Sequence, residues 1–142
     1  MSPFWRIWLI GWAWSVILFG VIIAGGAFEA TSGPISALYD LLRGPGPITN
    51  DPALRFSLAV MGCVSIGWGV TGLLAIMAAI KLGDKGQPVW NAITLGLFVW
   101  FISDSALSFA TGYGLNVVPN ILLLAGYLIP LVVSGKLMKS AA

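Results

Sequence analysis

The chain has 142 residues, of which 58% are hydrophobic and only 8% charged. Soluble domains carry about 25% charged residues, so a water-covered fold of this size is excluded and lipid is expected to cover most of the surface. With a net charge of +2, no histidine and a single cysteine, the composition gives no sign of a nucleic-acid partner, and it excludes His-ligated haem or zinc, a His general base and a Cys-x-x-Cys redox pair.

The first apolar run covers about residues 7–28 and carries no charge. Arg6 ahead of it gives it the look of a signal peptide. A signal core is only about 7–15 residues long, however, so the run is read as a retained helix. Residues 29–55 form the one long connection, and within it residues 34–43 read as a short helix. Ile35, Leu38, Tyr39, Leu41 and Leu42 share its broad apolar face, while Ser36, Asp40 and Arg43 lie opposite. That pattern suits a helix lying flat at the outer interface or capping a bundle. Gly44-Pro45-Gly46-Pro47 should end it. Asn50-Asp51-Pro52 then supplies an N-cap and a first-turn proline for the next helix.

The second span is expected over about residues 56–80, also without charge. Ala59, Cys63, Gly67 and Thr71 recur every fourth residue, and Ser65 and Gly69 form a second small pair. Such spacing lets helices approach closely in lipid, within the chain or between chains. Cys63 reads as one of these small packing residues.

Gly86-Gln87-Pro88 should break the chain before a third span at about 89–111, and Gly112 to Asn116 should make a tight turn into a fourth at about 117–135. Each span is near the ~20 residues that cross a ~30 Å hydrocarbon core. Pro119 fits the first turn of the last helix, and Pro130, deeper in, should kink it. The expected fold is therefore all-α: a four-helix transmembrane bundle forming a single domain over residues 1–142, with a short interfacial helix in the first outer loop.

Loop charges set the orientation. Arg6, Lys81, Lys85, Lys136 and Lys139 fall on one side, against Arg43 and Arg55 on the other. Both termini are thus expected in the cytoplasm, with Trp5, Trp8, Trp12 and Trp90 toward the cytoplasmic interface.

Asp104 is the one charge between Lys85 and Lys136. A carboxylate at bilayer depth costs ~2.5–3.5 kcal/mol on insertion scales and should face the bundle interior or water. Trp100, Asp104, Ser108 and Thr111 share one helix face. Asp104 precedes Thr111 by seven residues, so it lies ~10 Å inside the outer end at 1.5 Å per residue. Ser65 and Tyr127 fall at nearly the same depth, Trp68 and Trp100 just below, Ser108 and Asn120 just above. These seven residues, Asp104, Ser65, Trp68, Trp100, Ser108, Asn120 and Tyr127, are the candidate lining of a polar, aromatic-walled ligand pocket open to the outside. The plainer alternative is that Asp104 bonds across helices and fixes their packing. Asp51 and Arg55 are spaced for a surface i, i+4 pair, or Arg55 closes the pocket's mouth.

Two stretches, Leu54 to Leu74 (LRFSLAVMGCVSIGWGVTGLL) and Trp100 to Asn120 (WFISDSALSFATGYGLNVVPN), resemble those of small four-helix bacterial membrane proteins with no assigned activity. The resemblance implies a bacterial cytoplasmic (inner) membrane but carries no activity across. The layout is also similar in number to small multidrug transporters. Those are marked by a carboxylate midway along the first helix, and this first helix has none.

With one intramembrane carboxylate and no second catalytic group, no enzymatic role, cofactor or metal is expected. The expected function is a non-enzymatic membrane module. It would bind a lipid-like or apolar ligand, or join a larger membrane complex as a homo- or hetero-oligomer through the small residues of the second span. The alternative is a proton-coupled small-molecule carrier with Asp104 as the titrating group.

Overall fold

The computed structural model describes residues 1–44 and 51–137. All regular structure among them is helical: α1 (Pro3–Gly25), α2 (Gly33–Arg43), α3 (Pro52–Leu82), α4 (Gln87–Ala110) and α5 (Val117–Val133). Single 3-10 turns lie at Glu29–Thr31, Gly83–Gly86 and Gly114–Asn116. The expected roles of Pro45, Gly46, Pro47 and Asn50, and of Lys139, lie outside the described residues.

Three helical runs are long and apolar enough to cross a membrane: Pro3–Gly25, Pro52–Ala110 and Gly114–Val133. This differs from the four separate runs expected. The middle one is a continuous helical run of 59 residues, because the break anticipated at Gly86-Gln87-Pro88 is itself helical. A 3-10 turn leads directly into α4, and Pro88 sits in its first turn, where the missing N–H has no helical partner to lose.

By contacts the chain divides into two compact units, Trp14–Val70 and a second made of Met1–Ala13 with Thr71–Ala142, so that α1 and α3 each run through both. In the Trp14–Val70 unit, α1 and α3 approach backbone to backbone. A Cβ on Gly20 would meet Ile66 N at 2.8 Å, and one on Gly69 would meet Ile17 Cγ1 at 2.7 Å. One on Gly62 would collide with the backbone of Ala24. The residues that allow this approach are Gly62 and Gly69, one step round the helix from the Ala59–Cys63–Gly67–Thr71 face. On that face Ala59 is half-buried, and Cys63, Gly67 and Thr71 are exposed.

Helix α2 adds the lid of this unit. Its Ile35 packs with Ile23 and Leu58, supported by Leu38, Tyr39 and Leu54, while Leu41 is 72% exposed. The apolar face therefore caps the unit rather than lying wholly free. At the start of α3, Asp51 Oδ1 accepts a hydrogen bond from Leu54 N at 2.7 Å, the expected N-cap. Arg55 reaches across to Glu29, Nη2 to Oε2 at 3.5 Å.

The other unit has one core, made of Leu9 and Ala13 of α1, Ile76 and Ala79 of α3, Trp90 and Leu97 of α4, and Leu124, Tyr127 and Leu131 of α5. Residues on both sides of the Gly83–Gly86 turn share this core. Gly83 takes φ +61°, a left-handed conformation that costs glycine little. The end of α4 is closed by a Schellman motif. Gly112, at φ +83°, donates to Phe109 O, and Tyr113 donates to Ser108 O at 2.8 Å. This leaves α5 to start within six residues of the end of α4.

Pro130 lies inside α5. It has no N–H for the carbonyl four residues back, Gly126 O. The indole of Trp8 fills that place, donating to Gly126 O at 2.8 Å, and the indole of Trp12 donates to Leu123 O at 2.9 Å. Trp8 thus answers the one carbonyl that Pro130 leaves without its helical donor, while Trp12 adds a second indole bond between α1 and α5.

Large apolar side chains remain exposed along every long helix, including Ile7 at 72%, Val64 at 65%, Ile102 at 65% and Leu122 at 68%. Soluble monomers do not present apolar surface on this scale. A lipid environment explains it, with the helices holding every backbone bond internally.

Candidate functional site: the Asp104 cluster

The polar cluster sits where α4 ends and α5 begins. Asp104 and Ser108 lie one turn apart on α4, and Asn116 and Asn120 lie one turn apart across the connection. Asn116 Nδ2 donates to Asp104 Oδ2 at 2.9 Å and to Ser108 Oγ at 3.0 Å. Asn120 Nδ2 donates to the same Asp104 Oδ2, and more weakly to Ser105 Oγ at 3.4 Å. One carboxylate oxygen thus collects two amides from the first turns of α5. Asn120 is 5% exposed, and Ser105 and Ser108 are also buried.

The local sequence explains the arrangement. Asn116 is the N-cap residue of α5, yet its side chain makes no capping bond to that helix. Its amide is turned to the carboxylate instead. The partial positive charge at the start of α5 also favours an anion there. Hydrogen bonds to a charged group are worth about 1.5–3 kcal/mol in water, and cross-helix polar pairs in membranes average nearer ~0.6 kcal/mol. Two such bonds outweigh much of the ~2.5–3.5 kcal/mol insertion cost of a carboxylate.

Of the seven expected pocket residues, this cluster contains Asp104, Ser108 and Asn120. Ser105 and Asn116 join them. Tyr127 is fully buried elsewhere in the same unit: its hydroxyl pairs with Thr94 Oγ1 at 3.2 Å and donates to Trp90 O at 3.3 Å. Thr94 is ten residues, or about 15 Å, along α4 from Asp104. Tyr127 therefore belongs to a second polar knot rather than to the Asp104 site. Trp100, half-buried, packs against the shared core. Ser65 and Trp68 belong to the Trp14–Val70 unit. There Ser65 donates to its own helix at Met61 O, 2.9 Å, and Trp68 is 37% exposed.

Asn116 falls in the tight turn expected at Gly112 to Asn116, and a turn position by itself does not point to a partner for its side chain. The signal that could have found it is the matched spacing: Asp104 and Ser108 four apart, then Asn116 and Asn120 four apart, on either side of a short reversal. Thr94 and Ser105 carried no such signal.

Among the described residues no cluster of His, Cys, Asp or Glu could hold a metal ion. The chain matches no protein-family model, no curated protein and no solved structure.

Proposed function

We propose that the chain is a non-enzymatic membrane module that crosses the bilayer four times and associates with another membrane chain, a second copy or a partner, through the outer face of α3. A straight helix of 59 residues would be about 88 Å long, against a ~30 Å hydrocarbon core. The left-handed Gly83 and the core common to both sides of it support reading Pro52–Ala110 as two spans. The charges gathered around one end of the second unit, Arg6, Lys81, Lys85 and Lys136, support a cytoplasmic location for both termini. A bacterial cytoplasmic membrane suits this reading.

The observation that carries the proposal is the unused small-residue face of α3. A Cβ on Gly67 would meet nothing within 4 Å, whereas Gly62 and Gly69 are closed against α1. A glycine inside a helix costs about 0.5–1 kcal/mol relative to alanine, and none of the described residues needs Gly67 to be small. A helix from a neighbouring chain packed on Ala59, Cys63 and Gly67 would need it.

Cys63 is exposed and is the chain's one cysteine, so the native protein already carries its probe. A short thiol-reactive photocrosslinker on Cys63, activated in native membranes, should give one discrete adduct that Gly67→Leu abolishes. A monomer that yields no adduct, or an adduct indifferent to Gly67→Leu, sinks the association. The carrier reading draws less support, because the Asp104 oxygen that would have to release its partners is tied to two asparagines.

A further inference from the structure

The basic end of the second unit holds a feature the α3 face does not explain. A cavity of about 160 Å³ opens there, lined by Arg6 of α1, Ile80 of α3, Gly83 and Asp84 of the turn, Trp90 of α4 and Lys136 beyond α5. Its floor is apolar: Trp90 is 1% exposed, and Ile80 packs on the core. Its rim is charged. Lys136 Nζ meets Asp84 Oδ1 at 2.6 Å, and the Lys136 side chain is only 18% exposed while that of Asp84 stands in solvent. The one carboxylate of the rim is therefore already neutralised. Arg6 is exposed and has no ion-pair partner among the described residues. Lys81 and Lys85, on the neighbouring helix end and turn, are exposed as well.

We propose that this cavity seats the phosphate of an anionic phospholipid headgroup, with Arg6 as the principal ligand. The guanidinium offers two parallel N–H donors to phosphate oxygens. Asp84 and Lys136 cancel as an ion pair at the rim, so the net positive field there comes from Arg6, with Lys81 and Lys85 beside it. Basic pockets between membrane helices on the cytoplasmic side recognise headgroups in this way. The apolar floor suits the glycerol end of a lipid better than a fully hydrated free phosphate. Around Arg6, Phe4, Trp5 and Trp8 form an edge-to-face aromatic group, with centroids of Phe4 and Trp5 4.8 Å apart and of Trp5 and Trp8 6.1 Å apart. Such rings favour headgroup depth. Acyl chains would descend along exposed Phe4 and Ile7. The inference rests on the membrane reading above but not on association through α3.

Native mass spectrometry of the full chain in neutral detergent tests it, with phosphatidylglycerol, phosphatidylcholine and inorganic phosphate added in separate arms. The wild type should retain one phosphatidylglycerol in preference to phosphatidylcholine. Arg6→Gln should weaken that preference about fivefold or more, the share expected of one interfacial cation. Arg6→Lys should keep part of it, and Lys85→Gln, outside the cavity, should leave it nearly intact. Equal retention by wild type and Arg6→Gln overturns the site. Phosphate protecting the wild type against heat, without any lipid preference, assigns the seat to a soluble phosphate and overturns the lipid. Because Arg6 is exposed and has no ion-pair partner among the described residues, Arg6→Gln should fold. A thermal midpoint matching the wild type in phosphatidylcholine separates lost binding from lost fold. An Arg6→Gln deficit with Cys63 adducts unchanged would leave the association reading standing.

Discussion

At the residue scale, Trp8 and Pro130 act as a pair. Removing the indole N–H with Trp8→Phe leaves Gly126 O without a donor, at an expected cost of about 1–2 kcal/mol. In a Pro130→Ala background the helix supplies its own N–H to that carbonyl. The same Trp8→Phe change should then cost markedly less, and a double-mutant cycle on unfolding in mixed micelles measures the difference. A purely additive cycle would mean the indole bond contributes nothing. Asp104 is read in the same terms. Asp104→Asn should lose about 1 kcal/mol, since an amide oxygen still accepts but without charge. Asp104→Leu should lose about 2–3 kcal/mol, because Asn116 and Asn120 are both left without their acceptor. A carrier would behave otherwise: Asp104→Asn would leave stability nearly intact and abolish proton-coupled uptake in vesicles.

At the element scale, the two small-residue faces of α3 make opposite predictions. Gly62→Ala drives a methyl into the Ala24 backbone and should cost about 2 kcal/mol or more, because backbone cannot move aside as a side-chain tip can. Gly67→Ala meets open space and should raise helix stability by about 0.5–1 kcal/mol in the isolated chain. Thermal midpoints of the two variants in detergent check both signs. Sequence reading reached the helices themselves, α2 with its apolar face, and the Asp51 cap, because each depends on local pattern. It named two sets of small residues on α3 without deciding which one meets α1; Gly69 of the second set does, together with Gly62, which it did not single out. Both faces repeat small residues at helical spacing, and only the position of α1 decides between them. It also set Tyr127 at the depth of Asp104, because a depth counted from expected helix ends ignores how far the two helices are offset along each other. Thr94 and Trp90 lie on the side that Tyr127 meets.

At the scale of the whole molecule, composition alone carried the membrane reading, and the exposed apolar side chains on every long helix agree with it. The number of crossings was harder to read. Gly86-Gln87-Pro88 looks like an interruption, but glycine and proline are both at home in a 3-10 turn and a first helical turn, so the helical run continues through them. The reading of two crossings rests on Gly83 and its left-handed backbone, at a position where sequence alone shows only one glycine among many. The account therefore depends most on Pro52–Ala110 crossing twice. Single cysteines at Lys85 and at Leu115, each in a Cys63→Ser background, put this to a membrane-impermeant maleimide in intact cells. Four crossings with cytoplasmic termini predict that Leu115→Cys labels at once and that Lys85→Cys labels only after the membrane is opened. Labelling of both from the same side, or protection of Leu115→Cys in intact cells, would contradict it.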